Sequence, residues 1–306
     1  MAESYVTANG IRFHCLTAGK GPLILLLHGF PEFSYAWKDQ LREFGGDHLV
    51  VAPDLRGYNL TDKPVDVAAY RVAILIEDIR QLADHFREGR KFVLVGHDWG
   101  GAIAWGFAIE HPEYLEKLVI INAPFPPIFW KLLSSDAEQQ QASQYMLLFR
   151  SPGAEALLSA NNYAILTEKV LGDLLESGAL AEHDKASYLS AWSRPGALTG
   201  GLNYYRANHI GPPVPDALQS QLGRSDAIPH PADSQVRVPT LVIWGERDEA
   251  LTVKNLDGLE HYVPQLTVKR FPEASHWVVH EQPEAVNAAL RTFLGTSASA
   301  SGSPRE

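Results

Sequence analysis

The sequence predicts an α/β fold: a mostly parallel central sheet flanked by helices and interrupted by one long helical insertion. Three observations carry this. Short, nearly continuous apolar runs recur and end in turn residues, amphipathic helical patterns alternate with them, and the alternation stops near Pro124 and resumes near Thr240. The runs are "PLILLLHG" (22–29), "HLVVAPDL" (48–55), "KFVLVGHD" (91–98), "LEKLVIINAP" (115–124) and "TLVIWGERD" (240–248). Such runs suit parallel strands covered on both faces. In "VAILIEDIRQLADHF" (72–86), Ile74, Ile79, Leu82 and Phe86 share a helical face. "WGGAIAWGFAIEHP" (99–112) predicts a second helix that stops at Pro112. Strand alternating with helix argues a parallel sheet.

"APFPPIFW" is a proline-rich break, and helical segments such as "DAEQQQASQYMLLFR" and "HDKASYLSAW" dominate after it. The predicted organisation is a core of residues 1–124 and 231–295, a helical cap of 125–230, and a small polar tail, 296–306, expected to be disordered. "LTVKRFP" and "EAVNAALRTFL" supply a last strand and a last helix.

The chain has 306 residues, 45% hydrophobic and 20% charged, which suits a globular protein of one large domain or a domain with an insertion. A net charge of -10 argues against nucleic acid and anionic membranes as partners. No run approaches the roughly 18 apolar residues of a membrane span. "MAESYVTANGIRFH" lacks the basic and apolar regions of a secretory signal. The single cysteine, Cys15, forms no internal disulfide and sits in an apparent strand as a small buried hydrophobe. A cytoplasmic protein, monomer or homodimer, is the expectation.

"GHDWGG" (96–101) has the rhythm of a nucleophile elbow, with glycines two positions either side of the central residue. That residue is Asp98, where serine is usual. Taken alone, Asp98 is equally well a helix N-cap. "WGERD" puts Asp248 just past a later strand, and "FPEASHW" puts His276 in the loop after the next one. The order nucleophile, acid, histidine at the carboxyl ends of parallel strands favours the catalytic reading of all three. "HGFPE" (28–32) follows the first apolar strand, so the backbone N–H groups of Phe30 and Trp99 are the expected oxyanion donors. His97 is expected to be packed or hydrogen-bonded within the elbow strand, and His280 to lie in a helix past the loop. Glu32 either joins a water chain at the site or stabilises a turn.

A carboxylate is a poor nucleophile toward esters and amides, because it leaves more readily than the alkoxide or amine it would displace. It displaces leaving groups from saturated carbon and forms an alkyl ester. His276 would then act on water in the second step, oriented by Asp248. A halide leaving group wants weak donors such as Trp N–H; an epoxide oxygen wants a proton, for which tyrosine hydroxyls suit.

"HGFPE", "DLRGY", "GHDWGG", "WGERD" and "SHW" together resemble the soluble α/β-hydrolase-fold epoxide hydrolases, across residues 5–295. Within the insertion, "YMLLFRSPGAEA" from Tyr145 and "GLNYYRAN" (201–208) resemble that family's two lid-tyrosine motifs. The resemblance implies that Tyr145 and Tyr205 hold the epoxide oxygen opposite Asp98, and that no metal or organic cofactor is needed. It implies a small apolar epoxide and water as reactants. Phe30, Trp99, Phe125, Tyr204 and Trp277 are the expected substrate-binding residues, with Phe129, Trp130 and Trp192 also candidates for an apolar pocket. Tyr204 serves equally as packing. One departure is "NLTDKP", where the family usually has Gly-x-Ser-Asp; Asn59 tolerates a left-handed turn, so the turn is expected to survive. The rivals are a haloalkane dehalogenase-like hydrolase with the same triad and a non-catalytic small-molecule receptor of the same fold. Haloalkane dehalogenases typically carry Asn at the position of Phe30, and fluoroacetate-type enzymes carry arginines where this chain has Trp99 and Ile103.

Overall fold

A computed structural model describes residues 1–226 and 234–295. Eight strands, β1 (Ala2–Ala8), β2 (Ile11–Ala18), β3 (Leu23–Leu27), β4 (Leu49–Pro53), β5 (Phe92–His97), β6 (Leu115–Ile121), β7 (Thr240–Gly245) and β8 (Leu266–Phe271), form one sheet. Its order is β1-β2-β4-β3-β5-β6-β7-β8. The pairs β1/β2 and β2/β4 are antiparallel and the rest are parallel.

The apolar runs are continuous because alternate residues enter different cores. Leu25, Leu27, Leu94, Leu118, Ile120 and Val242 face one core. Ile24, Leu26, Val93, Val95, Val119, Ile121, Leu241 and Ile243 face the other. On the first face lie α2 (Val72–Phe86) and α3 (Trp99–Glu110), and on the second α1 (Lys38–Phe44) and a C-terminal helix (Pro283–Leu294). The helix expected over 72–86 has those bounds, and α3 ends two residues before Pro112.

Between β6 and β7 run α4 (Pro126–Ser135), α5 (Ala137–Ala142), α6 (Gln144–Arg150), α7 (Ala154–Leu166), α8 (Gly172–Glu176), α9 (Glu182–Trp192), α10 (Ala197–Ala207) and α11 (Gln219–Leu222). No strand interrupts them among the described residues. The helix expected over "DAEQQQASQYMLLFR" is two, α5 and α6, because Ser143 departs from helical geometry (φ −94°, ψ 8°). The boundary at 230/231 and the tail at 296–306 fall outside the described residues. After β8 come α12 (Val278–Glu281) and α13, the C-terminal helix already placed. No helix among the described residues is long and apolar enough to cross a membrane.

The registers Leu27↔Gly96, His97↔Ile121 and Ile121↔Ile243 align the carboxyl ends of β3, β5, β6 and β7. The loops leaving these strands therefore meet at one rim of the sheet, where open α/β sheets carry their sites.

Candidate active site

Asp98 joins β5 to α3 with φ 50° and ψ −121°, a left-handed backbone that costs a non-glycine residue of order 1–3 kcal/mol. The glycines around it answer to collisions. A Cβ on Gly100 would lie 2.2 Å from the Leu27 carbonyl oxygen, and one on Gly96 2.4 Å from the Gly100 carbonyl oxygen. A Cβ on Gly29 would lie 2.3 Å from Asp98 Oδ1. This closeness lets the Phe30 backbone N–H donate to Asp98 Oδ1 at 2.8 Å.

His276 Nε2 stands 3.7 Å from Asp98 Oδ2, and its Nδ1 is 2.7 Å from Asp248 Oδ2. Asp248 is buried and accepts N–H groups from Ala250 and Leu251 on Oδ1, both at 2.9 Å. The Asn122 amide donates to the other oxygen at 2.8 Å. Burial alone would raise the Asp248 pKa, but the His276 charge and these hydrogen bonds outweigh it and hold the carboxyl below its usual range. Burial likewise opposes a charged His276, yet the charge and hydrogen bond of Asp248, then the charges of Asp98 and Glu32, push it up to about 9.

Above Asp98 opens a narrow, mostly apolar cavity that is continuous with solvent. Asp98, Trp99, Pro124, Phe129, Tyr145, Met146, Tyr205, Ile210 and Leu251 are among the residues that line it. Tyr145 comes from α6 and Tyr205 from α10, their rings edge to face at 6.3 Å. Burial and the Asp98 charge hold the Tyr145 hydroxyl well above the usual range; burial, Tyr145 and Asp98 do the same for Tyr205. One cavity thus sets two neutral phenols beside a carboxylate, with the His276 imidazole 3.7 Å from that carboxylate.

A family model described as the α/β-hydrolase fold matches residues 22–283. The chain is 39% identical over 294 residues to AB hydrolase superfamily protein YfhM of Bacillus subtilis, covering 95% of this chain and 96% of that protein. It is 38% identical over 296 residues to human epoxide hydrolase 4, covering 94% of this chain and 76% of that protein. A solved Bacillus megaterium epoxide hydrolase variant, complexed with its product (R)-3-[1]naphthyloxy-propane-1,2-diol, matches with a TM-score of 0.86 at 36% identity, over 96% of this chain and 100% of that chain. The chain belongs to the epoxide hydrolases of the α/β-hydrolase fold. It is a hydrolytic enzyme.

In this hydrolase, Asp98, Asp248, His276, Tyr145, Tyr205, Trp99 and the Phe30 N–H come together at one place. Four residues expected to bind substrate do not line the cavity. The Phe30 ring packs on Phe149 (4.9 Å) and edge-on to Tyr205 (5.7 Å), and faces a separate small cavity. Phe125 is buried between Trp105 and Tyr262. Tyr204 is fully buried, its hydroxyl donating to the Arg56 carbonyl at 2.9 Å. Trp277 lies edge-on to the His276 ring at 4.8 Å. Of Phe129, Trp130 and Trp192, Phe129 alone reaches the cavity.

The turn with Asn59 survives: Asn59 has φ 38° and its amide donates to Asp54 Oδ2 at 2.8 Å, while the Thr61 hydroxyl donates to the Asp54 carbonyl at 2.6 Å. Glu32 is buried and bonded on both oxygens. Oε1 accepts from the Tyr188 hydroxyl (2.9 Å) and meets His280 Nε2 (2.6 Å); Oε2 meets His97 Nδ1 (3.2 Å). Burial opposes its ionisation, but the charges and hydrogen bonds of His280 and His97 hold its carboxyl well below the usual range. His97 Nε2 donates to the His276 carbonyl at 2.9 Å, and His280 lies in α12. Sequence reasoning missed Asn122, Met146, Ile210 and Leu251.

Proposed function

We propose that the enzyme opens an epoxide to a vicinal diol through an alkyl ester on Asp98, under a cap formed by residues 125–230. The observation that carries this is the single cavity into which Asp98, Tyr145 and Tyr205 all project. Two neutral phenols facing a carboxylate suit a leaving oxygen that must gain a proton; a halide needs none. Asp98 Oδ2 attacks a ring carbon, the ring C–O bond breaks, and one tyrosine hydroxyl protonates the alkoxide. His276, protonated at rest, returns a proton to that tyrosinate. Esterification has removed the Asp98 charge that helped hold its proton, so it is now the base for water. Water attacks the Asp98 carboxyl carbon, and the oxyanion that forms on Oδ1 is held by the Phe30 N–H, with Trp99 N–H as the second donor. Collapse breaks the acyl C–O bond, and His276 gives the proton it took from water to the departing alkoxide to release the diol. The new carboxylic acid then gives its proton to His276. The sum is epoxide plus water to diol, and no step calls for a metal or organic cofactor.

The aryloxy diol bound by the Bacillus megaterium relative, together with the apolar lining here, makes an aryl glycidyl ether the fitting first substrate. The test is to incubate the protein separately with phenyl glycidyl ether and 1-bromobutane and measure diol and free halide. Diol without halide is expected. Halide without diol would establish the dehalogenase reading instead, and neither product would count against both readings.

A further inference from the structure

One face of α9 grips the loop that carries the Phe30 N–H. Asp184, Tyr188 and Trp192 are spaced four residues apart and so share a helical face. Asp184 accepts from the Tyr35 hydroxyl (2.8 Å) and Lys38 Nζ (2.5 Å). Tyr188 donates to Glu32 at 2.9 Å and packs edge-on to the Phe33 ring at 5.4 Å. The Trp192 indole N–H donates to the Pro31 carbonyl at 2.6 Å. Tyr188 and Trp192 are both buried. Within the loop, Glu32 N–H donates to the Gly29 carbonyl at 3.0 Å, which closes Gly29–Glu32 into one turn. Phe30 sits inside that turn, with its N–H on Asp98 Oδ1.

We propose that Trp192 and Tyr188 are positioning residues for the ester-hydrolysis half of the reaction, acting through the Phe30 N–H. This rests on the covalent reading given above. The two halves use that N–H in opposite senses. In alkylation it draws charge from the attacking carboxylate, so holding it firmly gives no advantage. In hydrolysis a full negative charge develops on Oδ1, and a misplaced donor loses transition-state stabilisation. Loosening the turn therefore slows breakdown of the ester and spares its formation.

The test is Trp192→Phe, which keeps an aromatic ring and removes the donor, followed by rapid-quench single turnovers with phenyl glycidyl ether. Mass analysis of the Asp98 peptide reports ester formation and decay. The loss of one hydrogen bond predicts decay slowed roughly 3- to 10-fold, with formation within about two-fold of the unaltered protein and ester accumulating at steady state. Tyr188→Phe should act in the same direction and carries the test if Trp192→Phe does not fold. Unchanged decay in a folded variant overturns the proposal. Formation and decay slowed in parallel also overturns it, since a generally loosened cap does that. If the unaltered protein turns over the epoxide without an Asp98 adduct, the covalent reading itself fails and this inference with it.

Discussion

Replacing Asn122 by alanine should cost this fold far more than a single amide at a strand end suggests. Asn122 is fully buried just past β6 with φ 38°. Its Oδ1 accepts the Gly245 N–H at 2.8 Å, and its amide donates to the Gly245 carbonyl at 3.2 Å and to Asp248 Oδ2 at 2.8 Å. The bond to an ionised carboxylate is worth about 1.5–3 kcal/mol, and a buried backbone N–H stripped of its acceptor costs about 1–3 kcal/mol. A left-handed backbone adds about 1 kcal/mol for alanine, which glycine escapes. Asn122→Ala should thus lose about 5 kcal/mol, and Asn122→Gly about 1 kcal/mol less. Against a total stability of about 5–15 kcal/mol, the alanine variant stands at the edge of folding. Equilibrium urea unfolding, read as the midpoint at constant m, measures both. A loss below about 1.5 kcal/mol for alanine would refute the hydrogen-bond reasoning. Equal losses for alanine and glycine would refute the backbone part alone.

Other consequences follow from the same rim of the sheet. Folding raises the His276 pKa from 6.5 to about 9, so its protonation contributes stability that is complete below pH 6.5 and lost as pH rises through 9. The melting temperature should fall across that window, and His276→Gln should remove this part of the fall. Gly100→Ala would force a Cβ to within 2.2 Å of a backbone oxygen, which has no side chain to yield. It should lose at least about 3 kcal/mol or give no soluble protein, read by expression and urea midpoint. Tyr145→Phe and Tyr205→Phe should each slow ring opening by about 10- to 100-fold, the worth of a hydrogen bond to developing charge. The double variant should show no ring opening in single turnovers, and one that still opened the ring at the unaltered rate would remove the tyrosines from the chemistry.

What could be read from the chain was whatever depends on backbone and burial alone. The inner parallel strands were legible because both their faces are covered, so every position from Leu23 to Leu27 is buried. β1 was not, because it lies at the sheet edge with only Val6 and Ala8 buried, and "AESYVTA" looks like surface. The elbow was legible because its glycines answer to contacts between neighbouring backbones, which any sequence folding this way must avoid. Asn122 was invisible because a lone Asn at a strand end reads as a turn. Only the register of β6 against β7 brings it to Gly245 and Asp248. The aromatic wall failed for a related reason. Tyr204 and Tyr205 are adjacent on α10, about 100° apart round its axis. One donates to the Arg56 carbonyl among Tyr58 and Tyr70, and the other lines the cavity over Asp98. Which tyrosine faces the cavity is decided by how α10 rotates against the core. Gly57 and Gly200 set that rotation in part, since a Cβ on Gly200 would lie 2.4 Å from the Gly57 carbonyl oxygen. A close approach between two glycines 143 positions apart in the chain thus helps select Tyr205 over its neighbour. Periodicity and composition near the pair do not record that choice, and only the likeness of "GLNYYRAN" to a lid-tyrosine motif pointed to Tyr205.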